Sequence, residues 1–170
     1  MVALIFGSVL LGTWRSLSAL ERELEVVFMR GVDGDGFSIQ NDLVEIIAES
    51  YNLMTVAKKR MPEDSAEIAA LAAARDALIS AGSPTKKYAA NLKVYEASTE
   101  LYQKFKDAAG VTEADMNLAK RCYAEIQSRN DTMKNDGYNA EARKFNEKIK
   151  GVPAVFIAPL VGISPAELFE

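Results

Sequence analysis

Apolar residues in this chain recur three and four positions apart, and no stretch sustains the every-second-residue alternation of a half-buried strand. That spacing matches a helix of about 3.6 residues per turn, so it restricts the fold to packed amphipathic helices. Leu17, Leu20, Leu24, Val27 and Phe28 form the first stripe, which ends at Gly31. Leu43, Ile46, Ile47, Tyr51, Met54 and Ala57 form the second, opened by Ser38 or Asn41 as N-cap. Pro62 predicts a kink or short break, after which an alanine-rich stretch runs to Ala81. Gly82, Ser83 and Pro84 then read as helix stop, cap and first turn.

The third rod carries Tyr88, Leu92, Tyr95, Thr99, Tyr102 and Phe105 on one stripe. The fourth opens at Thr112, with Asp115 in a capping-box-like place, and aligns Met116, Ala119, Tyr123, Ile126 and Met133, with Asn130 inside the repeat. Asn135-Asp136-Gly137 interrupts it. Tyr138, Ala142, Phe145, Ile149 and Val152 resume the pattern, and an apolar tail follows Pro153, with a short turn near Pro165. The links at 31–37, 82–83 and 110–111 are short, which favours antiparallel neighbours. The expectation is an all-α chain: one antiparallel up-and-down four-helix bundle of long helices, two of them broken, in residues 15–170 behind an apolar segment at 1–14.

Residues 1–14, MVALIFGSVLLGTW, hold no charged side chain. A helix of fourteen residues rises about 21 Å, short of the roughly 30 Å hydrocarbon core. Three readings compete. The leading one is a membrane anchor, either short and tilted or beginning upstream of Met1. The others are a signal peptide, which lacks its basic start here, and a helix start buried in a soluble core. Arg15, Arg22 and Arg30 follow the run and no basic residue precedes it, which predicts a cytoplasmic bundle domain on a single-pass cell-membrane protein.

The chemistry-bearing residues are sparse. With 20 Lys+Arg against 24 Asp+Glu, the net charge of −4 offers no basic surplus for nucleic acid. The chain has no histidine and one cysteine, which removes His-based metal sites and nucleophile pairs. Asp33 and Asp35 begin like a calcium loop, but Phe37, Ser38 and Val44 fall where oxygen ligands and glycine are required, so a tight turn is the better reading. Glu45 and Glu49 are one turn apart and could share a metal; a solvated face is favoured. Lys58-Lys59-Arg60 is a small basic cluster, too short for strong headgroup binding. Lys120 and Arg121 beside Cys122 could lower a thiol pKa, but with no histidine and no nucleophile signature a partly buried structural cysteine is the favoured reading. Tyr88, Tyr95 and Tyr102, seven apart, read as core aromatics with hydroxyls at the rim rather than a stacking ladder for a cofactor. No catalytic, cofactor-binding or metal-binding residues are assigned, and no cofactor is expected.

The C-terminal stretch YNAEARKFNEKIKGVPAVFIAPLVGISPAELFE resembles the end of LemA family proteins. Tyr138-Asn139, Phe145-Asn146, Ile149, Val152-Pro153 and Phe169-Glu170 carry the resemblance, with support from IQNDLVEIIAESYN at 39–52. Val152 stands where the family usually has Phe. The resemblance implies a single N-terminal membrane helix, a helical-bundle domain and no established catalytic activity; Tyr138, Asn139, Phe145, Asn146 and Pro153 are its motif residues. Asn139 and Asn146 share a helix face, as do Tyr138 and Phe145. The asparagines are read as inter-helix hydrogen-bonding groups, with a ligand or partner site as the other reading. The functional expectation is a membrane-anchored, non-enzymatic module that meets a protein partner or its own copies. The other candidate is a small-molecule or lipid-binding bundle with tyrosines and methionines around a cavity. The apolar tail either covers the open end of the bundle or lies on a membrane or partner.

Overall fold

The computed structural model describes residues 2–170, with side chains from Gly7 onward, and every regular element among them is helical. Met1 and the side chains of residues 2–6, part of the apolar segment 1–14, lie outside the described residues. The helices are α1 (Val2–Arg30), α2 (Ile39–Ala57), α3 (Ala66–Ser80), α4 (Pro84–Lys106), α5 (Glu113–Lys134), α6 (Tyr138–Lys150) and the single turn α7 (Ala154–Ile157). They sort into two compact units. One holds the chain up to Ile39 with Asp136–Leu168; the other holds Gln40–Asn135 with Phe169 and Glu170.

The first unit pairs α1 with α6. Phe28 meets Tyr138 edge-on, ring centroids 4.9 Å apart, and the predicted stripes become its core: Leu17, Leu24, Val27 and Phe28 against Tyr138, Ala142, Phe145 and Ile149 are all buried. Gly31 ends α1. Its φ of 87° suits glycine, and a Cβ there would collide with the Asp35 carboxylate and the Phe37 carbonyl. Asp136 accepts a hydrogen bond from the Tyr138 N–H at 2.7 Å, capping α6 after the predicted interruption.

The second unit departs from the sequence reading. The segment 58–65 around Pro62 is a reversal, not a kink. Arg75 of α3 donates to the Ile47 carbonyl of α2 at 3.1 Å and lies over the Tyr51 ring, so α3 folds back along α2. The eight residues between the helices leave ample chain to turn. α3 and α4 are the closest-packed pair, as small alanines allow: Ala74 and Ala97 are buried between them. Tyr51, expected inside, is 56% exposed under Arg75, while Ser50, Leu53 and Val56 are buried.

The buried face of α4 is also offset from the expected aromatic stripe. Asn91, Val94, Ala97, Ser98, Leu101 and Phe105 point inward. Leu92 is exposed, and Tyr88, Tyr95 and Tyr102 stand half-buried at the flank. The inward face contains Asn91 and Ser98, which a hydropathy pattern counts as surface.

At the C-terminus the expected turn near Pro165 is absent. The turns form earlier, at Ala154–Ile157 and as 3-10 helix at Pro159–Val161, and residues after Gly162 are irregular. Val152 is 81% exposed rather than part of the α6 stripe, because α6 stops at Lys150 and Gly151 turns the chain away.

Candidate functional site

In the first unit, two of the singled-out residues of α6, Asn146 and Tyr138, hold the returning tail. Asn146 reads the backbone of Ala166 with both ends of its amide: Nδ2 donates to the Ala166 carbonyl at 3.0 Å, and Oδ1 accepts from the Ala166 N–H at 2.7 Å. Tyr138 donates its hydroxyl to the Glu167 carbonyl at 2.8 Å, and burial pushes its pKa up to about 12. Phe145, the residue before Asn146, is buried, and Asn139 is half-buried. Pro153 precedes α7 after a cis Val152–Pro153 bond. The asparagine expected to join helices thus pins an irregular tail to one helix, satisfying two backbone groups that no regular element serves. Beside it, α1, its terminal loop and α6 frame a cleft of about 510 Å³ lined by Leu24, Val27, Arg30, Glu141, Phe145 and Lys148 among others, with no tyrosine or methionine.

The second unit holds a different set of polar contacts. Asn91 Nδ2 donates to Asn130 Oδ1 at 2.7 Å, and Asn130 Nδ2 donates to the Ile126 carbonyl, which ties α4 to α5. Tyr123 joins the same seam: it stacks on Tyr102 with centroids 4.6 Å apart and shares a hydrogen bond with Thr99. Arg129 reaches Asp42, and Arg60 with Lys59 reaches Asp115, so charged pairs link α2 to α5 near both of its ends. Arg60 and the Thr112 hydroxyl hold the Asp115 carboxyl below its ordinary range; burial raises Asp42 despite Arg129. Thr112 caps α5 through the Asp115 N–H, as the sequence predicts. The sequence reading missed the link from Arg60 to Asp115 and the buried Asn91. Asn91, Ser98 and Phe105 at seven-residue spacing, interleaved with Val94 and Leu101, carry the signal that would have found the α4 face.

The remaining candidates resolve individually. Asp35 accepts from the Phe37 N–H at 3.0 Å and Asp33 takes φ 57°, both features of a tight turn. Glu45 is exposed, whereas Glu49 turns toward Cys122; burial followed by Glu49 pushes that thiol up to about 12, in keeping with the buried structural cysteine favoured from the sequence over a lowered thiol. All three residues of the 58–60 basic cluster are exposed, and two of them, Lys59 and Arg60, pair with Asp115. Among the described residues, no group of three acidic or cysteine side chains could hold a metal.

No protein-family model matches the chain, and no curated protein matches it. Among the described residues, no helix is long and apolar enough to cross a membrane.

Proposed function

We propose that this chain is a membrane-anchored, non-enzymatic helical module of the LemA type, which offers a helical surface to a protein partner or to its own copies. The carrying observation is the contrast within α1. From Leu17 onward the helix buries its apolar stripe; from Gly7 to Ser16 it buries no side chain, yet displays Val9, Leu11 and Trp14 at 45%, 54% and 43% exposure. Apolar side chains of this size, left uncovered along one continuous helix, are suited to lipid, and the indole suits the headgroup level. Arg15, Arg22 and Arg30 on the packed side favour a cytoplasmic domain.

The scaffold for that surface is read as an antiparallel up-and-down four-helix bundle made of α2 to α5, in place of the four rods in 15–170 expected from the sequence, which began with α1 and counted α2 with α3, and α5 with α6, as single broken rods. The short link 81–83, the Arg75 tie of α3 to α2, the Asn91–Asn130 tie of α4 to α5 and the contact of Lys87 with Gln40 support it. The non-enzymatic reading draws on the lack of histidine and on a sole thiol whose pKa is pushed up. Carbonate washing of cell membranes tests the anchor. The full chain is expected in the washed pellet and a variant lacking residues 1–14 in the supernatant; full chain in the supernatant would overturn it.

A second reading, a small-molecule or lipid-binding helical protein, draws on the cleft beside α6. Saturable binding of a small apolar probe, abolished by Leu24→Trp, would favour it.

A further inference from the structure

The packing of the first unit stops at a definite level. α6 runs antiparallel to α1 from the Phe28–Tyr138 contact, and its thirteen residues span about 18 Å, which brings Lys150 level with about residue 16 of α1. That is where burial along α1 ceases. α7 follows four residues later and packs on both α1 and α6. Gly162, at φ 77°, then turns the chain, and the tail runs back along α6 past Asn146 to Tyr138. Residues 152–160 are therefore the apex of this unit, at the end from which the uncovered half of α1 departs.

The apex is two-sided. Ala154, Ile157 and Ala158 are buried, while Val152, Phe156 and Leu160 stand 81%, 69% and 73% exposed. Three large apolar side chains so close in sequence and so open to water are unusual on a solvated loop. Lys148 in the last turn of α6 and Arg15 on α1 lie exposed at the same level with Lys150, which pairs with Glu147 at 2.8 Å, so the collar above the apolar tip keeps a basic surplus.

We propose that the 152–160 apex is an interfacial foot that seats in the surface of an anionic bilayer, with Phe156 and Leu160 at acyl-chain depth and the collar on lipid phosphates. The inference rests on the anchor reading above and deepens it: the foot fixes how the domain meets the surface that the helix enters. Lipid fits better than a protein surface because both apolar features and the basic collar occupy one end of the unit, matching the layered chemistry of a bilayer face. Phosphatidylserine and phosphatidylglycerol satisfy the same chemistry.

Single-cysteine labelling tests it on the full chain. Cys122 is buried and its thiol pKa is raised, so an introduced cysteine takes the label selectively at neutral pH. An environment-sensitive fluorophore is placed at Phe156→Cys, at Leu11→Cys and at the exposed control Lys144→Cys, in phosphatidylcholine vesicles containing about a quarter phosphatidylglycerol. Acyl-chain spin labels are expected to quench the probes at 156 and 11 several-fold more than the control. Quenching at 11 but not at 156 overturns the foot and leaves the anchor intact. Quenching at 156 alone keeps the foot and overturns the anchor, and no quenching at either overturns both. A blue-shifted probe at 156 that lipid quenchers leave untouched reports burial against protein and overturns the proposal.

Discussion

The two units hold themselves together by different polar means. The α2–α5 unit uses side chain against side chain: Asn91 on Asn130, Arg129 on Asp42, Arg60 on Asp115. The α1–α6 unit uses side chain against backbone, with Asn146 and Tyr138 gripping the carbonyl and amide groups of the tail. The difference follows from what each must satisfy. Helices consume their own backbone groups, so polar contacts between them fall to side chains. An irregular tail leaves its backbone groups open, and a helix beside it must supply partners. Tyr138 and Asn146 on α6 therefore read as parts of a latch, while the second unit depends on its apolar core and treats its polar pairs as alignment.

That contrast predicts graded losses. Phe105, at 0% exposure the largest fully buried side chain of α4, should dominate: Phe105→Ala is expected to cost about 3–5 kcal/mol in urea unfolding, and a loss near zero would deny that this core carries the second unit. Asn146→Ala strands two backbone groups and should cost about 1–3 kcal/mol. Its signature is local: amides after residue 163 lose hydrogen-exchange protection and the tail is nicked first by protease, while α4 and α5 amides stay protected. Uniform loss of protection would mean the latch is not separable. Tyr138→Phe keeps the ring against Phe28 and removes one hydrogen bond, for about 0.5–1.5 kcal/mol.

The finest distinction is between the two charged ties of α5. Asp115 has a folded pKa below its ordinary 3.8, so its contribution is present above that value and is lost as pH falls through the folded one. Asp42 is raised by burial, so its cost at neutral pH is relieved as pH falls through its folded value toward 3.8. Melting temperatures from pH 6 downward should show Asp115→Asn flattening the acid-side loss and Asp42→Asn steepening it. The same slope in both variants would contradict the opposed environments.

Much of the first unit was readable from spacing alone. The stripe on α1 and the stripe on α6 became facing cores because each helix has one dominant neighbour there, and periodicity reports a single buried face well. The second unit was less legible for the same reason. α4 lies close to α3 and α5, its inward face holds Asn91 and Ser98, and its three tyrosines sit at the flank while Phe105 of the same expected stripe is buried, so the most hydrophobic line was not the most buried one. Tyr51 was misplaced likewise, since a cation above its ring can compensate for exposure that hydropathy assumes to be costly. On the candidate latch, the Tyr-Asn and Phe-Asn pairs marked α6 as special, but neither spacing nor resemblance named Ala166 as the partner.

Composition and period alone determined that this chain is helical, where most helices begin and end, and which residue types are absent or rare, because those properties are local to a turn or a count. Tertiary structure decided that residues 58–65 reverse the chain, that Glu49 faces Cys122, and that Asn146 closes on a tail twenty residues away. Each joins groups far apart in sequence, and a helical pattern records only which side of a rod is greasy, not which surface or backbone it will meet.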